Sequence, residues 1–197
     1  TMGCGIAFIA ANSNVEKLAS QVRMYKPSAC VVVDESRAAE LKTAVADTGT
    51  KVYAGEESLI RLTEEGDYDT VIHAIAGNVG IKTAFAAAKS GKRIGMANKE
   101  AIISVGDLIY ETMKPHGTEL IPVDSEHSAI FQCLAAAGAA RTKEPSDGSK
   151  IRRVLLTASG GPFFGKTADQ LKTVTAAEAH NHPTWKMGKK ITVDSAT

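Results

Sequence analysis

Between residues 6 and 123 the chain alternates short apolar runs with longer amphipathic stretches, and this alternation is its strongest constraint. The runs over 6–11, 29–33, 51–53, 70–76, 93–97 and 119–123 are strand-length and rich in Val, Ile and Ala. Strands buried on both faces read as continuous runs of this kind. Between them lie segments with a helical period. In the first, Val15, Leu18, Ala19 and Val22 share one face, Ser13 and Glu16 stand at capping-box spacing, and Pro27 closes the segment. Further helices are predicted over 37–46, 56–62, 79–89 and 102–113, with Gly91 ending the fourth, Gly106 breaking the fifth and Pro115 following it. Strands alternating with helices imply parallel pairing through right-handed crossovers. The expected class is therefore α/β, a Rossmann-like, mostly parallel, doubly wound sheet over residues 1–122. Such sheets open with a glycine-rich turn after the first strand. Here no Gly-x-Gly-x-x-Gly follows any run, and Gly3 and Gly5 precede one.

Past residue 123 the pattern changes, and the start of an α+β catalytic domain is expected over 123–197. Residues 141–150 read as a polar loop, 151–158 as a strand, and Ser159-Gly160-Gly161-Pro162 as a sharp turn. Thr167 with Gln170 and Thr175 with Glu178 have capping-box spacing and begin two short helices. Pro183 stops the second, and residues 190–194 read as a last strand.

Composition removes several function classes. An apolar share of 44% suffices for a core, and a net charge of +1 gives no reason to expect nucleic acid or an anionic membrane as partner. No apolar run approaches the ~20 residues that cross a bilayer. The three cysteines, Cys4, Cys30 and Cys133, are odd in number and lack paired spacing, which argues against a disulfide framework or a zinc site. The opening Thr-Met-Gly-Cys-Gly has no basic stretch or cleavage site, so a reduced, cytoplasmic chain is expected.

Several clusters can carry chemistry, each with a plainer alternative. In Pro122-Val123-Asp124-Ser125-Glu126-His127, residues two apart in extended backbone point the same way, so Asp124 and Glu126 can offer two carboxylates to one Mg²⁺ or Mn²⁺. Equally, Asp124 or Ser125 can cap a helix starting near Glu126. Thr157-Ala158-Ser159-Gly160-Gly161-Pro162-Phe163 exposes backbone N–H groups and a hydroxyl that suit a phosphate, or is only a tight turn. His180-Asn181-His182-Pro183-Thr184-Trp185-Lys186-Met187-Gly188, with the single tryptophan, reads as a lid over a ligand or as a packed surface loop. Ala97-Asn98-Lys99-Glu100 ends a strand where open α/β sheets bind ligands, although a lone lysine there is usually solvated. Asn12, Ser13 and Asn14 stand where an acidic residue would favour NAD; small polar groups there tolerate a 2′-phosphate, or simply cap the helix.

Taken in order, Ala97-Asn98-Lys99-Glu100, Pro122-Val123-Asp124-Ser125-Glu126-His127, Ser159-Gly160-Gly161-Pro162-Phe163, His182-Pro183-Thr184-Trp185-Lys186-Met187-Gly188 and Val193-Asp194-Ser195-Ala196-Thr197 resemble the deoxyxylulose phosphate reductoisomerase family. The resemblance covers nearly the whole chain. It implies an NADPH-dependent enzyme that needs Mn²⁺ or Mg²⁺, acts on a sugar phosphate in non-mevalonate isoprenoid synthesis, and works as a homodimer. It makes Asp124 and Glu126 metal ligands and counts Lys99 with them in catalysis. Lys99, Ser125, Glu126, Ser159, His182 and Ser195 would hold substrate, with Ser159, His182 and Ser195 near its phosphate. Trp185 would cover it from a flap. Asn12, Ser13, Asn14, Asn98, Glu100 and Gly188 would face NADPH. The family often has glycine and a basic residue where Asn12 and Ser13 stand. It also carries a glycine-rich turn before the first run here, and a third metal carboxylate and a helical domain beyond Thr197. The resemblance therefore implies the middle of the enzyme, inactive by itself.

Two other readings compete. One is a different NADP-dependent oxidoreductase on the same fold, against which the Asp124–Glu126 pair and Trp185 speak. The other is a fragment or degenerate relative that folds without turnover.

Overall fold

A computed structural model describes residues 3–143, 148–157, 160–184, 186 and 188–194. The chain divides into two compact units, Thr1–Ile151 and Arg152–Thr197.

In the first unit the apolar runs become strands, each too short to be stable unless its neighbours and a helix cover it. β1 (Phe8–Ala11), α1 (Val15–Tyr25), β2 (Ala29–Val32), α2 (Ala38–Ala44) and β3 (Lys51–Ala54) form one set. The sheet order is β1-β2-β3, and both pairings are parallel, with Phe8 opposite Ala29 and Ala29 opposite Lys51. After α3 (Glu56–Glu65), β4 (Thr70–His73), α4 (Ile81–Lys89), β5 (Arg93–Met96), α5 (Lys99–His116), β6 (Glu119–Pro122) and α6 (Ser125–Ala136) complete the unit. Here the order is β4-β5-β6, again parallel, with His73 opposite Met96 and Met96 opposite Pro122. The parallel, helix-connected layout expected from the alternation is present, as two three-stranded sheets.

Each sheet has its own core. Val15, Leu18 and Val22 of α1 pack with Cys30 and Val32 of β2 and with Leu41. Burial there pushes the Cys30 thiol up to about 11, so it stays protonated and unreactive. In the second core, Ala84, Ala87 and Ala88 of α4 are wholly buried beside Ile94, Ile109 and Met113. Small alanines let α4 and α5 approach closely, and replacing Ile109 with Ala is expected to cost ~2–5 kcal/mol through the cavity it leaves.

Several boundaries depart from the sequence expectation. α1 is capped by Asn14, whose side chain accepts from the Lys17 N–H, and not by Ser13. α5 begins at Lys99, three residues before the periodic segment, because Asn98 caps it; its break falls at Val105 (φ −142°, ψ 23°), next to Gly106. Pro115 lies inside the last turn, and the helix closes on Gly117 in the left-handed region (φ 68°).

In the described residues of the second unit there are three helices and no strand. α7 (Ala168–Leu171) and α8 (Ala176–Ala179) carry the two capping boxes at Thr167/Gln170 and Thr175/Glu178 that the sequence indicates. The strand expected over 190–194 is instead helical, α9 (Lys189–Asp194). Its β-branched Thr192 turns both its N–H and its hydroxyl back to the Gly188 carbonyl, each at 3.1 Å. That local bonding needs no partner strand. Residues 151–157 do not form the expected strand either, and Val154, Leu155 and Leu156 are exposed. No helix among the described residues is long and apolar enough to cross a membrane.

Candidate active site

The carboxyl ends of β4, β5 and β6 are level, because His73, Met96 and Pro122 are in register. The ladder continues one step, with the Ala97 N–H bonded to the His73 carbonyl (2.9 Å) and the Val123 N–H to that of Met96 (2.8 Å). The residues that follow each strand therefore share one edge, where open α/β sheets take their ligands.

Lys99 and Asp124 meet there: Lys99 Nζ lies 3.3 Å from Asp124 Oδ2. Asp124 occupies the N-cap position of α6, yet its side chain makes no capping hydrogen bond. Instead the carboxylate, only 13% exposed, faces Lys99 and stands 3.8 Å from His127 Nδ1. Partial burial works to raise the Asp124 carboxyl. The Lys99 hydrogen bond and charge, a hydrogen bond with Glu126 and the charge of His127 together hold it below the usual carboxylate range. A partly buried carboxylate that stays ionised and makes no capping bond to its helix can bind a cation.

The sequence argument put Asp124 and Glu126 on extended backbone two residues apart. The strand ends at Pro122, and Glu126 sits in the first turn of α6 with Ser125. Glu126 is among the groups that lower the Asp124 pKa, and helix geometry rather than the strand period sets the spacing of the two carboxylates. Among the described residues no group of three His, Cys, Asp or Glu side chains is gathered for a metal ion. Two carboxylates can still hold Mg²⁺ or Mn²⁺ when a substrate supplies further oxygens.

Asn98, the residue before Lys99, is 1% exposed. Its Oδ1 accepts from the Ala101 N–H (2.9 Å), while Nδ2 donates to the carbonyls of Ile75 and Gly77, the latter at 3.0 Å. Glu100 follows in the first turn of α5. The turn that Asn98 reaches, Ala76-Gly77-Asn78-Val79-Gly80, was not singled out in the sequence, although a Gly-x-x-Gly directly after a strand was a usable signal. His73, at the end of β4, supports it from the other side. His73 Nε2 is 2.9 Å from Thr83 Oγ1 and 3.1 Å from the Gly80 carbonyl, and burial lowers the imidazole pKa. His127 is the other residue that sequence reasoning passed over.

At the edge of the first sheet the side chains are more open. Asn12 and Asn14 are exposed, and Ser13 is half-buried. The Asn12 carbonyl accepts from the Asp34 N–H (2.9 Å), which ties the ends of β1 and β2 together.

In the second unit Gly160 and Gly161 both have positive φ (79° and 63°), as the glycine turn requires. His182 is buried, and its Nδ1 accepts from the Thr184 N–H (3.1 Å). The Gly188 carbonyl receives the first bond of α9. Ser159, Trp185 and Ser195 lie outside the described residues.

Known proteins resemble the chain over nearly its whole length. The sequence model of the 1-deoxy-D-xylulose 5-phosphate reductoisomerase family matches residues 4–106, and that of the same enzyme's C-terminal domain matches residues 120–197. The chain is 44% identical over 189 residues to the reductoisomerase of Bacteroides fragilis, covering 96% of this chain and 46% of the relative. It is 44% identical over 192 residues to that of Lachnoclostridium phytofermentans, covering 98% and 47%. The chain thus spans about half the length of these relatives. Among solved structures, a DOX-P reductoisomerase in complex with NADPH, fosmidomycin and magnesium superposes with a TM-score of 0.81 at 38% identity, over 97% of this chain and 47% of that one. The Zymomonas mobilis enzyme in complex with NADPH gives 0.81 at 36% identity, over 96% and 46%. With one family model covering more than half of the 197 residues, the chain belongs to the 1-deoxy-D-xylulose 5-phosphate reductoisomerase family.

Proposed function

We propose that this chain supplies the cofactor-binding and much of the metal- and substrate-binding machinery for converting 1-deoxy-D-xylulose 5-phosphate to 2-C-methyl-D-erythritol 4-phosphate. The observation that carries the reading is Asp124, a half-buried, ionised carboxylate at a helix N-terminus that does not cap its helix but faces Lys99 and Glu126. Asp124 and Glu126 hold a divalent cation, Mg²⁺ or Mn²⁺, which when bound supplies Lewis-acid polarisation of the substrate oxygens. NADPH, the cofactor named in two of the similar structures, supplies the hydride.

The chain's own groups then have distinct tasks. The Lys99 ammonium balances the carboxylate charge and donates to substrate oxygen, fixing its orientation. Ser125, beside the carboxylates on the first turn of α6, offers a hydroxyl to the same molecule. Ser159, His182 and Ser195 take the substrate phosphate, and Trp185 covers the substrate and excludes water. Asn12, Ser13, Asn14, Asn98, Glu100 and Gly188 line the NADPH side. On this reading residues 1–122 belong to the cofactor domain and 123–197 to the catalytic domain, in a homodimeric cytoplasmic enzyme.

The test is loss of NADPH absorbance when an enzyme of the relatives' full length, carrying this sequence, meets deoxyxylulose phosphate and Mn²⁺. Substrate-dependent oxidation that stops on chelation of the metal is expected. Equal oxidation without substrate, or none with it, would overturn the reading.

A further inference from the structure

The side chain of Asn98 is engaged within the fold at both its oxygen and its nitrogen. An amide carries two donors and an oxygen with two acceptor sites. The oxygen accepts from the Ala101 N–H, and the donors go to the carbonyls of Ile75 and Gly77. One residue therefore performs two separable tasks: it caps α5, and it fastens the turn between β4 and α4.

The turn is built around that fastening. A Cβ on Gly80 would stand 2.5 Å from Asn98 Nδ2, 2.9 Å from the Ile75 carbonyl oxygen and 3.1 Å from His73 Cε1. Only glycine allows so close an approach. The far end of the turn is held independently. Thr83 Oγ1 donates to the Gly80 carbonyl (2.9 Å), and His73 Nε2 lies within reach of both the hydroxyl and that carbonyl. All four residues, His73, Gly80, Thr83 and Asn98, are buried. Buried polar networks favour one arrangement where their members are paired, and in this one His73 Nδ1 is the atom without a partner.

Asn98 is also the residue immediately before Lys99, whose ammonium lies 3.3 Å from Asp124. The geometry points to Asn98 as a positioning residue: by clamping residues 75–80 to the start of α5, it makes the β4–α4 turn and the Lys99–Asp124 pair one rigid edge. This rests on the reductoisomerase reading of that pair. On that reading Asn98 acts through its neighbours, with its two amide donors held by the turn. Displacing a positioned group by about 1 Å can cost ~100-fold in rate.

Substitution separates the two tasks. Asn98→Ser in the full-length enzyme keeps an oxygen able to cap α5 but is too short to reach Ile75 and Gly77. Thr83→Val removes the hydroxyl tie on Gly80 at nearly constant volume. For Asn98→Ser, kcat is expected to fall ~100-fold with the melting temperature and the substrate KM near wild type, while hydrogen exchange at the Gly80 amide quickens and that at Ala101 stays slow. Thr83→Val is expected to lower kcat in the same sense by a smaller factor, with the fold intact. A folded Asn98→Ser enzyme with wild-type kcat would overturn the proposal. So would a fall in kcat explained wholly by a lowered melting temperature or raised KM. Should Asn98→Ser not fold, wild-type kcat in Thr83→Val overturns it. If the unaltered enzyme is inert toward deoxyxylulose phosphate, the functional reading fails instead. Gly80 exchange then tests the clamp alone, and an unchanged rate in Asn98→Ser overturns that too.

Discussion

The two parallel sheets of the first unit are built alike, yet their carboxyl edges differ. At the first, Asn12 and Asn14 are exposed, Asn14 serves the helix it caps, and Asp34 bonds the nearby Ser36 N–H (3.0 Å) and hydroxyl. Asn14 and Asp34 each answer a local backbone need. At the second, His73 and Asn98 are buried, and Asp124 declines the capping bond available to it. Its groups bond across β4, β5 and β6. Polar groups are costly to bury, so a buried set that does not merely finish helix ends marks the edge where chemistry is held. On the proposed function, the first edge binds, and the second binds and reacts.

The largest test of this division is to supply both edges and nothing else. The 197 residues alone are expected to show no turnover. Among the described residues only two carboxylates come together at the second edge, and no third ligand joins them. Losing orientation forfeits ~7 kcal/mol or more of barrier reduction, about five powers of ten at ~1.4 kcal/mol per tenfold. NADPH oxidation measured with purified chain of verified mass decides it. Turnover near ~10 s⁻¹ would show that the two edges suffice.

Next in size is Asp124→Asn in the full-length enzyme. Removing one charge of a cation-binding pair removes several kcal/mol of electrostatic stabilisation, so kcat is expected to fall ~1,000-fold. NADPH affinity, set chiefly at the first edge, should change little. A variant that loses cofactor affinity and keeps kcat would reverse the two roles.

Much of this contrast was legible in the sequence. Apolar runs at strand length and the face made by Val15, Leu18 and Val22 give the alternation away, because buried strands and amphipathic helices each impose a period. The capping boxes at Thr167 and Thr175 were equally plain, since the residues that make them lie three apart. What escaped notice depended on contacts distant in sequence. The Asn98 clamp joins residues 21 and 23 positions apart, and nothing at Ile75 or Gly77 announces it. The strand period does not relate Asp124 to Glu126, because the strand ends at Pro122 and Glu126 lies in the first turn of a helix. Residues 190–194 look like a strand because β-branched side chains favour sheets, but a strand needs a partner to bond, and Thr192 finds Gly188 within its own turn.

At the first edge the expected effect is on choice of cofactor. No acidic residue stands among Asn12, Ser13 and Asn14, so kcat/KM should favour NADPH over NADH. Asn12→Asp would place a carboxylate where a 2′-phosphate sits and a ribose hydroxyl could bond. It is expected to narrow the preference by at least about tenfold, ~1.4 kcal/mol. Preference for NADH in the unaltered enzyme would remove the cofactor role from this edge.

The smallest expected effect compares how the two edges titrate. At the first, side-chain and backbone hydrogen bonds from Ser36 hold the Asp34 carboxyl low, so its contribution to stability is present above the unfolded carboxylate pKa of about 3.9 and is lost only in acid. At the second, burial lowers the His73 pKa, and no charged partner is among the causes. The unfolded chain then binds the proton more readily than the folded one. Stability from this group is complete above the unfolded histidine pKa of about 6.5 and falls as pH drops below it toward the folded value. Unfolding by urea across that window should therefore show stability declining with acid by no more than one proton's worth of slope. The chain has five histidines, so the group is isolated by difference. His73→Asn keeps a donor for the Gly80 carbonyl and removes the titration, and should flatten the slope by its share. An unchanged slope would mean that His73 carries its proton in the folded state, and the buried neutral network at the second edge would not exist as described.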